Sequence, residues 1–239
     1  MDNGKLSDIL MRGAEQLGIV LPTGSPAAFE MYRAFLEKQG EHVNLTAITG
    51  AADIARLHFL DSIALLRPVK FTGASVIDVG SGAGFPGIPL KLAEPSIDLT
   101  LLDATSKRIA FLSELCDLLG MKAKCIHARA ESASHEPDMR ERYDVVVSRA
   151  VAQLNILCEL CLPYIRVGGV FLALKGIESG DEVSASQKAM EILGANLKEY
   201  YDYTIPGTDI IHRVIIIEKK ERTPSSYPRR FPRILRSPL

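Results

Sequence analysis

Cysteine is scarce in this chain: four among 239 residues, too few at this length for a disulfide scaffold. Long apolar runs are missing too, and no stretch reaches the ~18 consecutive apolar residues of a membrane span. The opening residues, MDNGKLSDILMRGAEQ, lack the basic-then-apolar order of a secretory signal. An excess of one charge is also absent, with 28 basic against 29 acidic residues and a formal net charge of −1. With 47% hydrophobic and 24% charged residues, the composition excludes a disordered chain. These absences predict a globular, cytoplasmic protein that is long enough to bury a real core.

The balanced charge hides an asymmetry. Residues 219–239 carry seven basic side chains and one acid, a net of +6, while residues 1–218 carry −7. The same end holds Pro224, Pro228, Pro232 and Pro238. Such a segment reads as a polyanion-binding arm, as a solvated tail that aids solubility, or as a tail packed on the domain, whose truncation would lower stability.

Residues 1–67 read as helical. Ile9, Leu10 and Leu17, then Phe29, Tyr32, Phe35 and Leu36, recur at three- and four-residue spacing. Ser25 is a candidate N-cap with Pro26 at the first helical position. A polar turn, GEHVNLTAITG, leads to a third helix over Ile54, Leu57, His58, Asp61 and Leu65. From about residue 74 the pattern changes. SVIDVG, IDLTLLDA, AKCIHA, YDVVVSRA and GVFLALKG are short apolar strands separated by amphipathic stretches, which implies βαβ units and a buried parallel sheet. After residue 180, LKEYYDYTIPG and IIHRVIIIEKK face each other across a Pro-Gly-Thr-Asp turn, as a hairpin would. The expected fold is α/β: a Rossmann-like, mostly parallel sheet with an antiparallel C-terminal hairpin. The expected organisation is a helical cap (1–67), the sheet domain (68–221) and a basic tail (222–239).

The segment Asp78-Val79-Gly80-Ser81-Gly82-Ala83-Gly84-Phe85-Pro86-Gly87 ends the first strand in alternating glycines and opens a helix. Glycines there let the backbone approach a ligand, and the helix start offers free N–H groups. Open α/β sheets bind ligands in this crevice. Gly82, Gly84 and Gly87 satisfy G-x-G-x-x-G, with Asp103 placed to hold ribose hydroxyls, which is the dinucleotide pattern. Counted from Gly80, however, the third position falls on Phe85. Asp78 suits a ligand with a cationic amino-acid end, and the terminal hairpin differs from a doubly wound dehydrogenase. The pattern favours S-adenosylmethionine over NAD but leaves an NAD-dependent oxidoreductase open, and with it a non-catalytic RNA-binding module whose loop is only structural.

HVNLTAIT (42–49), DVGSGAGFPGIPL (78–90), LLDATSKRIAFL (101–112), ARAE (128–131) and VVSRAV (146–151) resemble, in this order, the RsmG (GidB) family, over nearly the whole chain. That family comprises bacterial methyltransferases that modify guanine N7 in 16S ribosomal RNA. The resemblance implies S-adenosylmethionine as donor, held by Gly80, Gly82, Phe85, Asp103, Ala130, Glu131 and Arg149. Asp103 and Phe85 have other readings, as a helix cap and as core. The expected RNA contacts are Asn44, Lys107, Arg149, Lys175, Arg229 and Arg230, with Arg108 beside them. The expected partner is small-subunit ribosomal RNA or the 30S particle, met by a monomer without membrane contact.

N7 attack needs no general base, so none is assigned; Arg149 and Lys175 are the candidates to orient the guanine. His58 reads as packed rather than catalytic. Cys158-x-x-Cys161 lies in an apolar helix, with no second pair to complete a metal site, and reads as core.

Overall fold

A computed structural model describes residues 5–43, 45, 46, 48–149 and 152–239. Seven strands form one sheet in the order β3-β2-β1-β4-β5-β7-β6. The strands are β1 (Ser75–Val79), β2 (Asp98–Asp103), β3 (Ala123–His127), β4 (Tyr143–Ser148), β5 (Ile165–Gly176), β6 (Ala195–Thr204) and β7 (Ile211–Lys219). The first five run parallel, and β7 and β6 complete the sheet antiparallel, as the sequence predicts. Successive side chains of a strand point to opposite faces. Val76 therefore joins one apolar cluster, and Ile77 and Val79 another.

The helices divide between the two faces. On one face lie α1 (Leu6–Gln16), α2 (Ser25–Val43), α5 (Gly87–Ala93) and α6 (Ser106–Leu118), all contributing to the first cluster. On the other lie α7 (Ala130–Ala133), α8 (Leu154–Cys161) and α9 (Gly180–Ile192). α1 buries Leu6, Ile9, Leu10, Gly13 and Ala14, the i, i+3, i+4, i+7, i+8 stripe of a helix with one apolar face. The cap helices thus share a continuous core with the sheet. Cys158 and Cys161 are fully buried in the second cluster. No helix of the described residues is long and apolar enough to cross a membrane.

Two local expectations change. Ser25 does not cap α2; its hydroxyl donates to the Leu92 carbonyl at 3.0 Å, sealing the end of α5 instead. The third cap helix is not uniform. It runs as α3 (Ala51–Ile54), a π-helical turn (Ala55–Leu60), α4 (Asp61–Ile63) and a 3-10 turn (Ala64–Leu66). The widened turn belongs to a run, His58 to Leu65, that is buried without interruption.

Asp61, in that run, is almost fully buried and joins three parts of the chain. Its Oδ1 accepts from Tyr203 Oη (2.6 Å) and His212 Nδ1 (2.7 Å) on the hairpin, and its Oδ2 from Arg149 Nη1 (3.4 Å) after β4. Burial pushes the Asp61 carboxyl up, but the His212 and Tyr203 hydrogen bonds and the Arg149 charge outweigh it and hold it below the usual range.

Of the readings left open for the C-terminal segment, the packed one holds. The segment is not a free arm. Arg140 donates to the carbonyls of Thr223, Pro224 and Tyr227. His135 bonds the Pro228 carbonyl at 3.0 Å. Arg229, expected to contact RNA, instead binds Glu159 on α8 through its backbone N (2.8 Å), Nε (2.8 Å) and Nη2 (2.6 Å). Glu159 is 0% exposed, so its charge is tolerated only because that partner is present. A short helix, α10 (Phe231–Arg236), follows and buries Ile234.

Two outcomes are expected from these contacts. Arg229→Ala strands a buried carboxylate and lowers unfolding free energy by about 3–5 kcal/mol in urea titration, whereas the joint change Arg229→Met with Glu159→Leu recovers most of the loss. His212 has its pKa raised from 6.5, chiefly by the Asp61 hydrogen bond. The stability from that pair is complete below pH 6.5 and is lost as pH rises through the raised value. His212→Gln removes this part of the wild-type pH slope, measured as the shift in urea midpoint.

Candidate functional site

A cleft opens at the carboxyl ends of β1, β2 and β4, where the strand order reverses. Its floor is Val79, Gly80, Leu102, Asp103, Ala104 and Ser148. Ala128, Arg129, Ala130 and Glu131 form one wall, and Ala152, Leu157, Leu160 and Phe231 another. Ser148 Oγ donates to the Val79 carbonyl at 2.9 Å and so ties the ends of β4 and β1 together.

The loop after β1 is braced from below. Ser81 Oγ donates to the Asp78 carbonyl (2.9 Å) and accepts from Leu102 N (3.1 Å). Asp103 Oδ2 accepts from Gly82 N at 3.0 Å, and Oδ1 from Thr105 N at 2.8 Å. Asp103 thus closes a turn on Thr105 just ahead of α6, whose start carries no side-chain cap, and it also reaches the cleft. Gly80 has φ +77°, and a Cβ placed there would meet no heavy atom within 4 Å, so the loop leaves open space in front of β1. Gly84, at φ +100°, is glycine for the opposite reason: a Cβ there would lie 2.6 Å from Ile88 Cδ1 and 2.9 Å from Tyr32 Oη. Tyr32 Oη donates to the Ala83 carbonyl at 2.5 Å, anchoring the loop to the cap.

Gly80, Asp103, Ala130 and Glu131 come together around the cleft. Gly82 sits just behind, held by Asp103. Phe85 is not among the cleft-lining residues. Its ring is buried between Tyr32 (5.2 Å) and His58 (4.3 Å), because α5 starts with its apolar face toward the cap. Asp78 is also absent from the lining. It points to the same face of the sheet, fully buried, with Oδ2 accepting from Gly87 N at 2.9 Å and Oδ1 unpartnered. Burial pushes its carboxyl up to about 7.

Arg149 leaves the end of β4 toward the cap. Its guanidinium lies over the Phe85 ring at 4.7 Å and donates to the Leu57 carbonyl, Asp61 and His58 Nδ1 (3.1 Å). A guanidinium only donates, so His58 Nδ1 is the acceptor and its Nε2–H faces Thr46 Oγ1 at 2.8 Å. Burial and the Arg149 charge push the His58 pKa down to about 3, which keeps the ring neutral. His58 is therefore packed, as the sequence suggested, and it also holds Arg149.

Of the residues expected to meet RNA, Lys107 is exposed beside the cleft, and Arg230 is exposed on the tail. Lys175 is not free: its Nζ donates to the Ala152 carbonyl (2.6 Å) and to Glu182 (2.7 Å), sealing the join between β5 and α9. Arg108 leans back to Asp103 at 3.5 Å. Asn44 lies outside the described residues. Phe231, Leu157 and Leu160 were not anticipated; nothing in a tail read from its charge or in an apolar helix marks a cleft wall. Among the described residues, no three His, Cys, Asp or Glu side chains are grouped to hold a metal ion.

The fold is shared with other proteins of solved structure. M. jannaschii TYW2 in complex with AdoMet aligns with a TM-score of 0.52 and 15% identity over 66% of this chain and 74% of that one. The [4+2]-cyclase SpnF aligns at 0.57 with 13% identity over 84% and 97%; at these identities the likeness concerns the fold alone. Sequence relatives are much nearer. The ribosomal RNA small subunit methyltransferase G of Acetivibrio thermocellus is 42% identical over 98% of this chain and 97% of its own length. That of Clostridium tetani is 41% identical over 98% and 99%. Residues 26–207 match the family described as GidB, rRNA small subunit methyltransferase G. With the cleft, the sheet order and these matches in agreement, the chain belongs to the GidB family of small-subunit ribosomal RNA methyltransferases.

Proposed function

We propose that this protein transfers a methyl group from S-adenosylmethionine to N7 of a guanine in 16S ribosomal RNA. The observation that carries the proposal is the cleft before β1, where Gly80 leaves a cradle open and Asp103 supplies a fixed carboxylate beside apolar walls. The residues present suit the donor. Asp103 is oriented by Gly82 N and Thr105 N to accept from a ribose diol, Gly80 and Gly82 let the backbone come close, and Ala130 and Glu131 border the adenosine. Phe85 and Arg149 act from behind the loop. Family membership displaces the oxidoreductase and the non-catalytic module as readings.

When bound, the donor supplies a methyl group activated on a sulfonium. Guanine N7 presents its lone pair in the ring plane, so no proton has to be removed and no residue serves as general base. The protein's work is alignment of the partners and exclusion of water. Arg149, fixed by Asp61, His58 and the Phe85 face, is the cation held nearest the loop from the cap side and is suited to orient the guanine through O6 or an adjoining phosphate. Lys175 drops out of that role because Glu182 neutralises it. The target base must be exposed or drawn from its stack.

We divide the chain into a cap (1–67), a catalytic domain (68–221) and a tail (222–239), and take it to act as a cytoplasmic monomer on the ribosomal RNA or 30S particle. Lys107 and Arg230, with Arg233 and Arg236, form the exposed cationic set for phosphate contact.

Three outcomes test this reading. Incubation with unmodified small-subunit RNA and methyl-labelled donor is expected to label one guanine, located by cleavage at N7-methylguanine. Gly80→Asp, which fills the cradle at a strain of about 1 kcal/mol, abolishes donor binding by calorimetry; transfer at the wild-type rate would refute the site. Changing Arg230, Arg233 and Arg236 to Gln is expected to weaken RNA binding, with the salt slope falling by about 0.9 per lost phosphate contact, and to leave donor affinity unchanged.

A further inference from the structure

The C-terminal segment is bolted to both walls of the cleft. On one side, Arg140 and His135, in the stretch that follows Ala130 and Glu131, hold the carbonyls of Thr223, Pro224, Tyr227 and Pro228. On the other, Glu159 holds Arg229 through three hydrogen bonds, and Glu159 lies on α8 between Leu157 and Leu160, the aliphatic cleft residues. Two residues beyond Arg229 the Phe231 side chain enters the cleft lining. Ile234, one helical turn on, is fully buried and fixes the orientation of α10. A solvated tail has no need of a buried ion pair at this point, and a half-buried aromatic ring at a cleft mouth is costly to hold in place without an occupant.

From this geometry we infer that Phe231 is a donor-binding residue: the tail completes the wall of Leu157 and Leu160, so that the purine ring of the methyl donor is held between the Phe231 ring in that wall and the methyl groups of Ala128 and Ala130 on the facing one. The inference rests on the donor cleft proposed above and extends it to a segment whose composition points to no small-molecule ligand. The chemistry fits. A purine has two apolar π faces and polar edges, and an aromatic ring against one face with methyl groups against the other binds it without selecting its charge. Asp103, in the same cleft, remains free to meet the sugar. Because α10 bears Arg230, Arg233 and Arg236 on its exposed sides, the element that closes over the donor also faces the polyanion.

The test is calorimetric titration of the full-length protein with S-adenosylhomocysteine and, separately, with adenosine. Phe231→Ala is expected to weaken both by the same factor, about tenfold, since the lost contact is to the base they share; Phe231→Tyr is expected to keep wild-type affinity. Thermal midpoints are recorded for both variants. Wild-type affinity in Phe231→Ala would overturn the inference. So would equal losses in the Ala and Tyr variants accompanied by a lowered melting temperature, which would assign Phe231 to the fold. A wild-type protein that binds neither ligand would instead remove the donor cleft itself, so the two failures are distinguishable.

Discussion

Where β1 ends, the chain must turn back into α5 without filling the space in front of the sheet, and most of the molecule is arranged around that requirement. The turn has positive φ at Gly80, Gly82 and Gly84. A backbone that exposes so many amide groups needs fixed partners, and neighbouring strands provide them: the Leu102 carbonyl accepts from Gly80 N and Ser81 N, and Asp103 accepts from Gly82 N. The cap supplies the remaining brace through Tyr32 and the Ala83 carbonyl. The open space before Gly80 is thus a product of contacts made on every side but one.

A second layer of constraint is polar and buried. Asp61 gathers Arg149, Tyr203 and His212, so that the cap, the end of β4 and the hairpin meet at one carboxylate. His58 takes a further hydrogen bond from Arg149 and passes it to Thr46 in the turn that precedes α3. In a low-dielectric interior such a set holds only if each member is satisfied. It fixes Arg149 in one orientation, with its guanidinium over the Phe85 ring behind the loop.

Much of this was legible in the sequence. Strands with two buried faces read as short, largely apolar runs, and VIDV, LTLLD and DVVVS announced the centre of the sheet; the hairpin and the helical cap followed from turn chemistry and spacing. The glycine loop and Asp103 were found because local chain geometry alone demands them. Side-chain direction was harder. Phe85 adjoins the loop in sequence, but its ring falls on the cap face, and Asp78 follows it there. Lys175 was read as a free cation because Glu182, its partner, belongs to a different element. The state of the tail stays open in the sequence for a related reason. Its basic, proline-rich composition looks solvated, whereas its packing depends on single distant residues, Glu159, Arg140 and His135, most of them gripping backbone carbonyls that leave no trace in composition.

The pairing of Glu159 with Arg229 spans 70 residues of sequence. In a chain made from its N-terminus, α8 therefore emerges with an acid in its apolar surface long before the matching guanidinium exists. A segment made 70 residues after that acid is thus what lets α8, and the cleft wall it carries, settle against the sheet.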